Sequence, residues 1–395
     1  MRIYADNAAT TAMSPAAVAA MTPYLTEQYG NPSSLYALGQ RAREAIESAR
    51  ETVARCIGAS AREITFTSGG SEADNQAILT AVQIGAKAGK RHIVSDAIEH
   101  HAVLHTLQKL QGQGFEVTLL PVHENGIVRP EELKAALRDD TCLVTIMYAN
   151  NEIGTIQPIR EIGAICRERG ALFHTDAVQA VGHIPVDATA DQFDLLSASA
   201  HKFHGPKGVG FLYARRGVRL TNLIEGGAQE RGRRAGTENV PGIVAAATAL
   251  EEAVLNRAAN AEKLTALRDR LIAGLSDIPH AALNGDARMR LPSNVNFCFE
   301  GIEGESLLLL LDDRGVMASS GSACTSGSLD PSHVLLAIGR AHDVAHGSLR
   351  LTLGDDATEE QVDYIIAAVR DVVAYLRGFS PVWRDLCAGK LPHIL

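Results

Sequence analysis

Between Glu63 and Tyr213 the sequence switches repeatedly from short β-rich runs to longer runs with apolar residues at helical spacing. The spacing predicts strands over Ile64–Thr67, His92–Ser95, Val117–Val122, Cys142–Tyr148, Leu172–Asp176, Leu195–Ala198 and Val209–Tyr213. It predicts helices between them at Glu72–Ala88, Ala102–Gln111 and Ile159–Arg169. This alternation leaves few options: an α/β architecture, with a mostly parallel seven-stranded sheet flanked on both faces by helices. Such sheets bind ligands in the crevice beyond the carboxyl ends of their strands. The residues of this chain with reactive chemistry fall mainly at those ends.

After Gly242 the pattern changes. A helix rich in Ala, Leu, Glu and Arg is expected over Ile243–Leu275, then strands at Asn294–Phe299 and Ser348–Leu353. Helices Glu305–Arg314 and Glu359–Leu376 and a Ser/Gly-rich stretch, Ala318–Ser328, complete this part. A chain of 395 residues exceeds one small core. The expected division is a large domain, residues 13–257, and a smaller α+β domain formed by residues 1–12 and 258–395. The net charge of −9 argues against a nucleic-acid surface. The one basic knot, Arg231-Gly-Arg233-Arg234, is too short to track a phosphate backbone. No apolar run approaches the roughly 20 residues that span a bilayer, and Met1-Arg-Ile-Tyr-Ala-Asp lacks the order of a signal peptide. The six cysteines include no Cys-x-x-Cys pair, and four lie in or beside apolar patterns. A cytoplasmic setting is the expectation.

Six stretches carry chemistry. In Ser199-Ala-His-Lys202-Phe-His-Gly-Pro206, Gly and Pro mark a turn that places Lys202 at a strand end. A lysine partly desolvated there has reason to lose its proton and act as an amine nucleophile, as Schiff-base chemistry requires. Thr67-Ser-Gly-Gly70-Ser71-Glu72 joins strand to helix through two glycines, so backbone N–H groups converge on one spot that suits a phosphate, with Ser71 adding a hydroxyl. An ordinary capped helix gives the same residues. His174-Thr-Asp176 ends a buried strand with a carboxylate that needs a cationic partner, either a protonated pyridine nitrogen or an arginine. Glu99-His100-His101-Ala-Val-Leu-His105 offers His100 at a strand end to stack on a ring or exchange protons. His101 and His105 have the i, i+4 spacing of a metal pair but no third ligand, so no metal site is expected. Ser319-Ser-Gly-Ser-Ala-Cys324-Thr-Ser-Gly-Ser surrounds one thiol with small polar residues, the context of an accessible rather than a core cysteine. Arg350, within a strand of the second domain, is either a bidentate clamp for a carboxylate or a salt-bridge partner.

These pieces, in this order, resemble the pyridoxal-phosphate cysteine desulfurases of aminotransferase class V. The resemblance runs from Asp6-Asn-Ala-Ala-Thr-Thr11 through Gly30-Asn-Pro-Ser-Ser34, Glu99-His100, Asn150-Asn-Glu-Ile-Gly154 and Asp176–Gln179. It continues through Ala200–Gly208, Arg234-Ala-Gly-Thr-Glu-Asn239 and Ser319–Ser328, and so covers nearly the whole chain. The long loop around Cys324 is similar to that of the NifS and IscS group. Arg231–Asn239, Ser326–His333 and Ser380-Pro-Val-Trp383 look closest to the NifS-type branch associated with nitrogen fixation. One departure stands out: Tyr36 occupies a position where relatives usually carry His.

The resemblance implies a PLP-dependent transferase fold of type I and a set of roles. Lys202 would hold pyridoxal 5'-phosphate covalently, Asp176 would face its pyridine nitrogen, Gln179 its phenolic oxygen, and His100 would lie over the ring. Gly70, Ser71, Ser199 and His201 would hold the phosphate, with Thr237 supplied by the partner subunit of a homodimer. Asn151 and Arg350 would hold the carboxylate of L-cysteine. Cys324 would accept the sulfur as a persulfide and pass it to an iron–sulfur scaffold protein, where it could also contact a transferred cluster. The alternatives are a selenocysteine lyase or an aminotransferase on the same fold, told apart by whether cysteine yields alanine or a keto acid. A cofactor-free scaffold would show no visible absorbance.

Overall fold

The computed structural model describes residues 1–320 and 331–395. Cys324 and most of the Ser/Gly-rich stretch therefore lie outside the described residues.

The strands are β1 (Ile3–Tyr4), β2 (Ile64–Thr67), β3 (His92–Asp96), β4 (Glu116–Leu120), β5 (Thr141–Thr145), β6 (Leu172–Asp176), β7 (Leu195–Ser199), β8 (Gly210–Ala214), β9 (Ala281–Leu283), β10 (Asn294–Phe299), β11 (Val316–Met317) and β12 (Ser348–Thr352). Strands β2 to β8 form one seven-stranded sheet in the order β2-β8-β7-β6-β5-β3-β4. Only β8 runs against its neighbours β2 and β7; the other pairs are parallel. Strands β3, β5, β7 and β8 are buried at every position. That is why they read as unbroken apolar runs rather than alternating ones: helices cover both faces.

Helices α1 (Pro15–Thr26), α2 (Ala37–Cys56), α3 (Gly70–Lys87), α4 (His101–Gln111), α5 (Pro130–Ala136) and α6 (Ile159–Arg169) supply that cover. Local chemistry sets their ends. Ser14 caps α1 by accepting from Ala17 N, with Pro15 at the first helical position. Gly170, at φ 65°, closes α6 in the left-handed region.

A smaller antiparallel sheet, β12-β10-β9, packs with Glu359–Phe379 and with Gly304–Asp313, and β1 pairs with β11. The helix Val240–Ser276 belongs to two cores: Ile243 to Leu250 pack with the large sheet, whereas Leu264, Leu267, Leu271 and Leu275 pack with the small one.

Some boundaries differ from expectation. The strand expected over Cys142–Tyr148 stops at Thr145, although Ile146, Met147 and Tyr148 stay buried. An apolar run reports burial here, not pairing. The strand expected over Val117–Val122 starts at Glu116 and ends at Leu120, because Pro121 has no N–H to give a ladder. The strand expected over Val209–Tyr213 is displaced by one residue to Gly210–Ala214.

Candidate active site

The carboxyl ends of β3, β6 and β7, the amino end of α3 and the segment Asp6–Thr11 enclose one site. At the β2–α3 turn, Gly69 adopts φ 152°, a conformation closed to other residues without strain. A Cβ on Gly70 would lie 2.7 Å from Val178 Cγ2. The turn is therefore tight enough to bring the backbone of Gly69, Gly70 and Ser71 to a cup shared with Ser199 and His201. No side chain caps α3, so its first N–H groups face that cup with the positive end of the helix dipole. Glu72, the first acidic residue of α3, is tied back by Arg234 at 2.9 Å and does not compete for the cup. This donor set fits a phosphate. Lys207, which the sequence reading passed over, adds a cation at the rim.

Lys202 ends a short 3-10 turn, Ala200–Lys202, directly after β7. Its Nζ donates to the carbonyls of Ala8 at 2.6 Å and Ala9 at 2.8 Å. Gln179 Nε2 donates to the same Ala8 oxygen at 3.0 Å. The amino-terminal segment thus lies across the lysine, fixed from both sides: Thr11 Oγ1 donates to the His201 carbonyl, and Ala8 N donates to Thr352 Oγ1. His201 is neutral, since burial and the neighbouring Lys202 and Lys207 pull it down to about 4.

On the far side of the site stands Asp176, 5% exposed, with Oδ1 accepting from Val178 N at 2.9 Å. Burial raises its pKa, and His100 and Lys202 oppose that rise. A carboxyl so placed gains most from a cation arriving between it and the lysine, which a protonated pyridine nitrogen would supply. His100 caps α4: Nδ1 accepts from Ala102 N at 3.1 Å, so the neutral ring carries its proton on Nε2. Ligand atoms of His100, Asp176 and Asp74 lie within 4.8 Å of one another.

The structure thus brings together Lys202, Gln179, Asp176, His100, Gly70, Ser71, Ser199 and His201. Thr237 is exposed and is absent from the residues lining the cup of its own chain. The basic knot is used internally, with Arg231 on Glu47 and Arg234 on Glu72.

Arg350, 3% exposed, is held by Asp6 at 2.7 Å and by the Asn151 carbonyl at 3.3 Å, while its buried Nε meets no acceptor among the described residues. The structure shows the salt-bridge reading of Arg350, with Asp6 orienting the guanidinium. Replacing Arg350 by Ala is expected to raise KM for the substrate carboxylate by about 100-fold while the loaded enzyme keeps its visible absorbance. Steady-state kinetics on the coloured protein checks this; an unchanged KM removes Arg350 from substrate binding.

Glu152 was not singled out from sequence. Fully buried, it accepts from Ser332 Oγ at 2.5 Å, and burial lifts its pKa to about 7 against the help of Ser332, Arg350 and His100. Its folded pKa exceeds its unfolded one, near 4.3. The folded state therefore binds more protons through that window, and stability falls as pH rises from about 4.3 to about 7. Asp96, also pushed up to about 7 by burial, acts in the same direction. Glu152→Gln should shrink the drop in urea midpoint between pH 5 and pH 8. An equal drop in both proteins would count against it.

The class-V aminotransferase model matches residues 3–365. A cysteine desulfurase IscS of Clostridium botulinum (strain Hall) is 53% identical over 392 residues, 98% of this chain and 98% of its own. One of Methanosarcina thermophila is 55% identical over 380 residues, 96% of this chain and 94% of its own. Among solved structures, a NifS-like protein superposes with a TM-score of 0.89 at 41% identity, covering 95% of this chain and 100% of that one. A structure titled SspA in complex with cysteine superposes at 0.79 with 35% identity, over 89% and 98%. With a family match over residues 3–365 and relatives above half identity, the chain belongs to the class-V aminotransferases, a family that works with pyridoxal phosphate.

Proposed function

We propose that the protein is a cysteine desulfurase: it converts L-cysteine to L-alanine and passes the sulfur, as a persulfide on Cys324, to an acceptor that serves iron–sulfur cluster assembly. The names of the relatives support the reaction, and the relative solved with cysteine supports the substrate. One observation carries the reading to this chain's own residues. Ser319 and Arg350 exchange both backbone hydrogen bonds, at 3.2 and 2.6 Å. The segment bearing Cys324 therefore departs from the arginine that would grip the substrate. It returns at Ser332, whose hydroxyl is held by Glu152, and His333, whose ring meets the Glu99 carbonyl.

Pyridoxal phosphate supplies an electron sink when bound. The protein does the rest. Ser71, Ser199, His201 and the α3 N-terminus would hold the phosphate; Asp176 would keep the pyridine nitrogen protonated; Gln179 would face the phenolic oxygen and His100 the ring. Asn151 and Arg350 would fix the substrate carboxylate. The Lys202 amine would take the α-proton. The Cys324 thiolate then attacks the substrate sulfur: an S–S bond forms, the C–S bond breaks, and its electron pair stays with the carbon, which takes up a proton and leaves as alanine. Thr237 completes the phosphate site of a second copy, so the working unit is a homodimer. The acceptor is an iron–sulfur scaffold protein, and the setting is cytoplasmic; no helix among the described residues is long and apolar enough to cross a membrane.

The test is direct. Loaded protein given L-cysteine should release alanine, and mass spectrometry should find one added sulfur on the peptide containing Cys324. Keto acid in place of alanine would favour an aminotransferase.

A further inference from the structure

Behind Asp176 lies an array of carboxyl groups that the proposed reaction does not use. Asp74 on α3, Asp96 at the end of β3, and Glu99 just before α4 are exposed by 1%, 0% and 0%. Among the described residues none of the three has an arginine or lysine salt bridge; the one ion-pair contact is the neutral His174 ring, 3.6 Å from Asp74 Oδ1. Both Glu99 oxygens, Asp74 Oδ1 and Asp96 Oδ2 meet no hydrogen-bond partner there. Carboxylates in a dry interior demand donors and counter-charges; these have few. Among the described residues the Lys202 ammonium acts on Asp176, and a bound cofactor would add one pyridinium.

The surrounding hydrogen bonds are neutral ones. His174 sits between Thr145 Oγ1 at 2.8 Å and Ser197 Oγ at 3.0 Å, and burial drops its pKa to about 3. The neutral ring brings no charge to the array, and Asp74 Oδ1 meets no hydrogen-bond partner among the described residues.

Two carboxyls this close cannot both ionise without a cation for each. If Asp74 held the charge, Asp176 would hold the proton and could not pair with a pyridinium. We propose that Asp74 and Glu99 are positioning residues that remain protonated in the loaded enzyme, so that among Asp74, Glu99 and Asp176 only Asp176 presents a negative charge to the pyridine nitrogen. This rests on the assignment of Asp176 to that nitrogen. Burial raises both first; like charge from Asp176 then raises Asp74, and like charge from Asp96, Asp176 and Asp74 raises Glu99 against the Met147 backbone, in keeping with the geometry.

Difference infrared spectroscopy in D2O at pH 7 tests the protonation, on cofactor-free and on loaded protein. Subtracting Asp74→Asn or Glu99→Gln from the parent should leave the carbonyl stretch of a protonated carboxylic acid. Loss of carboxylate stretches alone overturns the proposal for that residue. A second readout is the pH titration of the bound cofactor's visible band. Neither variant removes a charge, so the midpoint should hold within roughly 0.3 unit, and displacement by about a unit or more overturns the proposal. Asp176→Asn separates the two ideas. If it leaves the visible band unaltered, the assignment of Asp176 fails, whereas the infrared result on Asp74 and Glu99 stands by itself.

Discussion

Lys202→Ala should yield a protein that cannot be fixed to its cofactor by borohydride and whose turnover is lower by a factor of at least about 1,000. The reasoning is geometric. Lys202 directly follows β7, and its Nζ donates to the Ala8 and Ala9 carbonyls, which position the amine in the site. The phosphate cup is untouched by the substitution, so the variant should still bind the cofactor reversibly. Absorbance before and after reduction, followed by intact mass, reads the covalent link, and alanine release reads turnover. A reducible covalent adduct in the Ala variant would move the role to another amine.

Cys324→Ala should separate the two halves of the reaction. The residues assigned to the cofactor do not include Cys324, so colour, cofactor affinity and the spectral response to L-cysteine should persist. Persulfide formation and delivery of sulfur to an acceptor should fall to background. Four of the other cysteines offer no substitute. Cys142, Cys166 and Cys298 are buried, with thiol pKa values raised by burial, and Cys56 is raised to about 11. Such thiols hold too little thiolate to react near neutral pH. Cys387 is exposed but sits in the carboxyl-terminal helix Pro381–Cys387. Mass spectrometry of the persulfide and a sulfide assay with a thiol acceptor decide the matter. Undiminished transfer from Cys324→Ala would take that residue out of the reaction.

Residues whose role follows from local surroundings were legible in the sequence. Lys202 lies in a Gly-Pro turn after an apolar strand, Asp176 ends another, and the glycine pair before α3 announces its own turn. Long-range partners were not. Nothing near Arg350 in the chain points to Asp6, and nothing near Glu152 points to Ser332; both pairs exist because the fold brings distant segments together. Asp74 reads as one more polar residue on an amphipathic helix until β6 packs over it. The strand ends show the same limit, since the buried run Ile146-Met147-Tyr148 is apolar for the sake of the core although it lies past the end of β5. The cysteine context was legible, whereas its place in space falls outside the described residues.

The strap over Lys202 has a consequence for biosynthesis. Ala5 accepts from Thr352 N, Ala8 donates to the Thr352 hydroxyl, and Asp6 meets Arg350. The amino-terminal segment therefore waits for β12, more than 300 residues later, before it can settle. A growing chain can build the large sheet and its glycine turn before that, yet it keeps an uncovered lysine until the small sheet closes. Productive loading with an aldehyde is thus tied to the formation of β12.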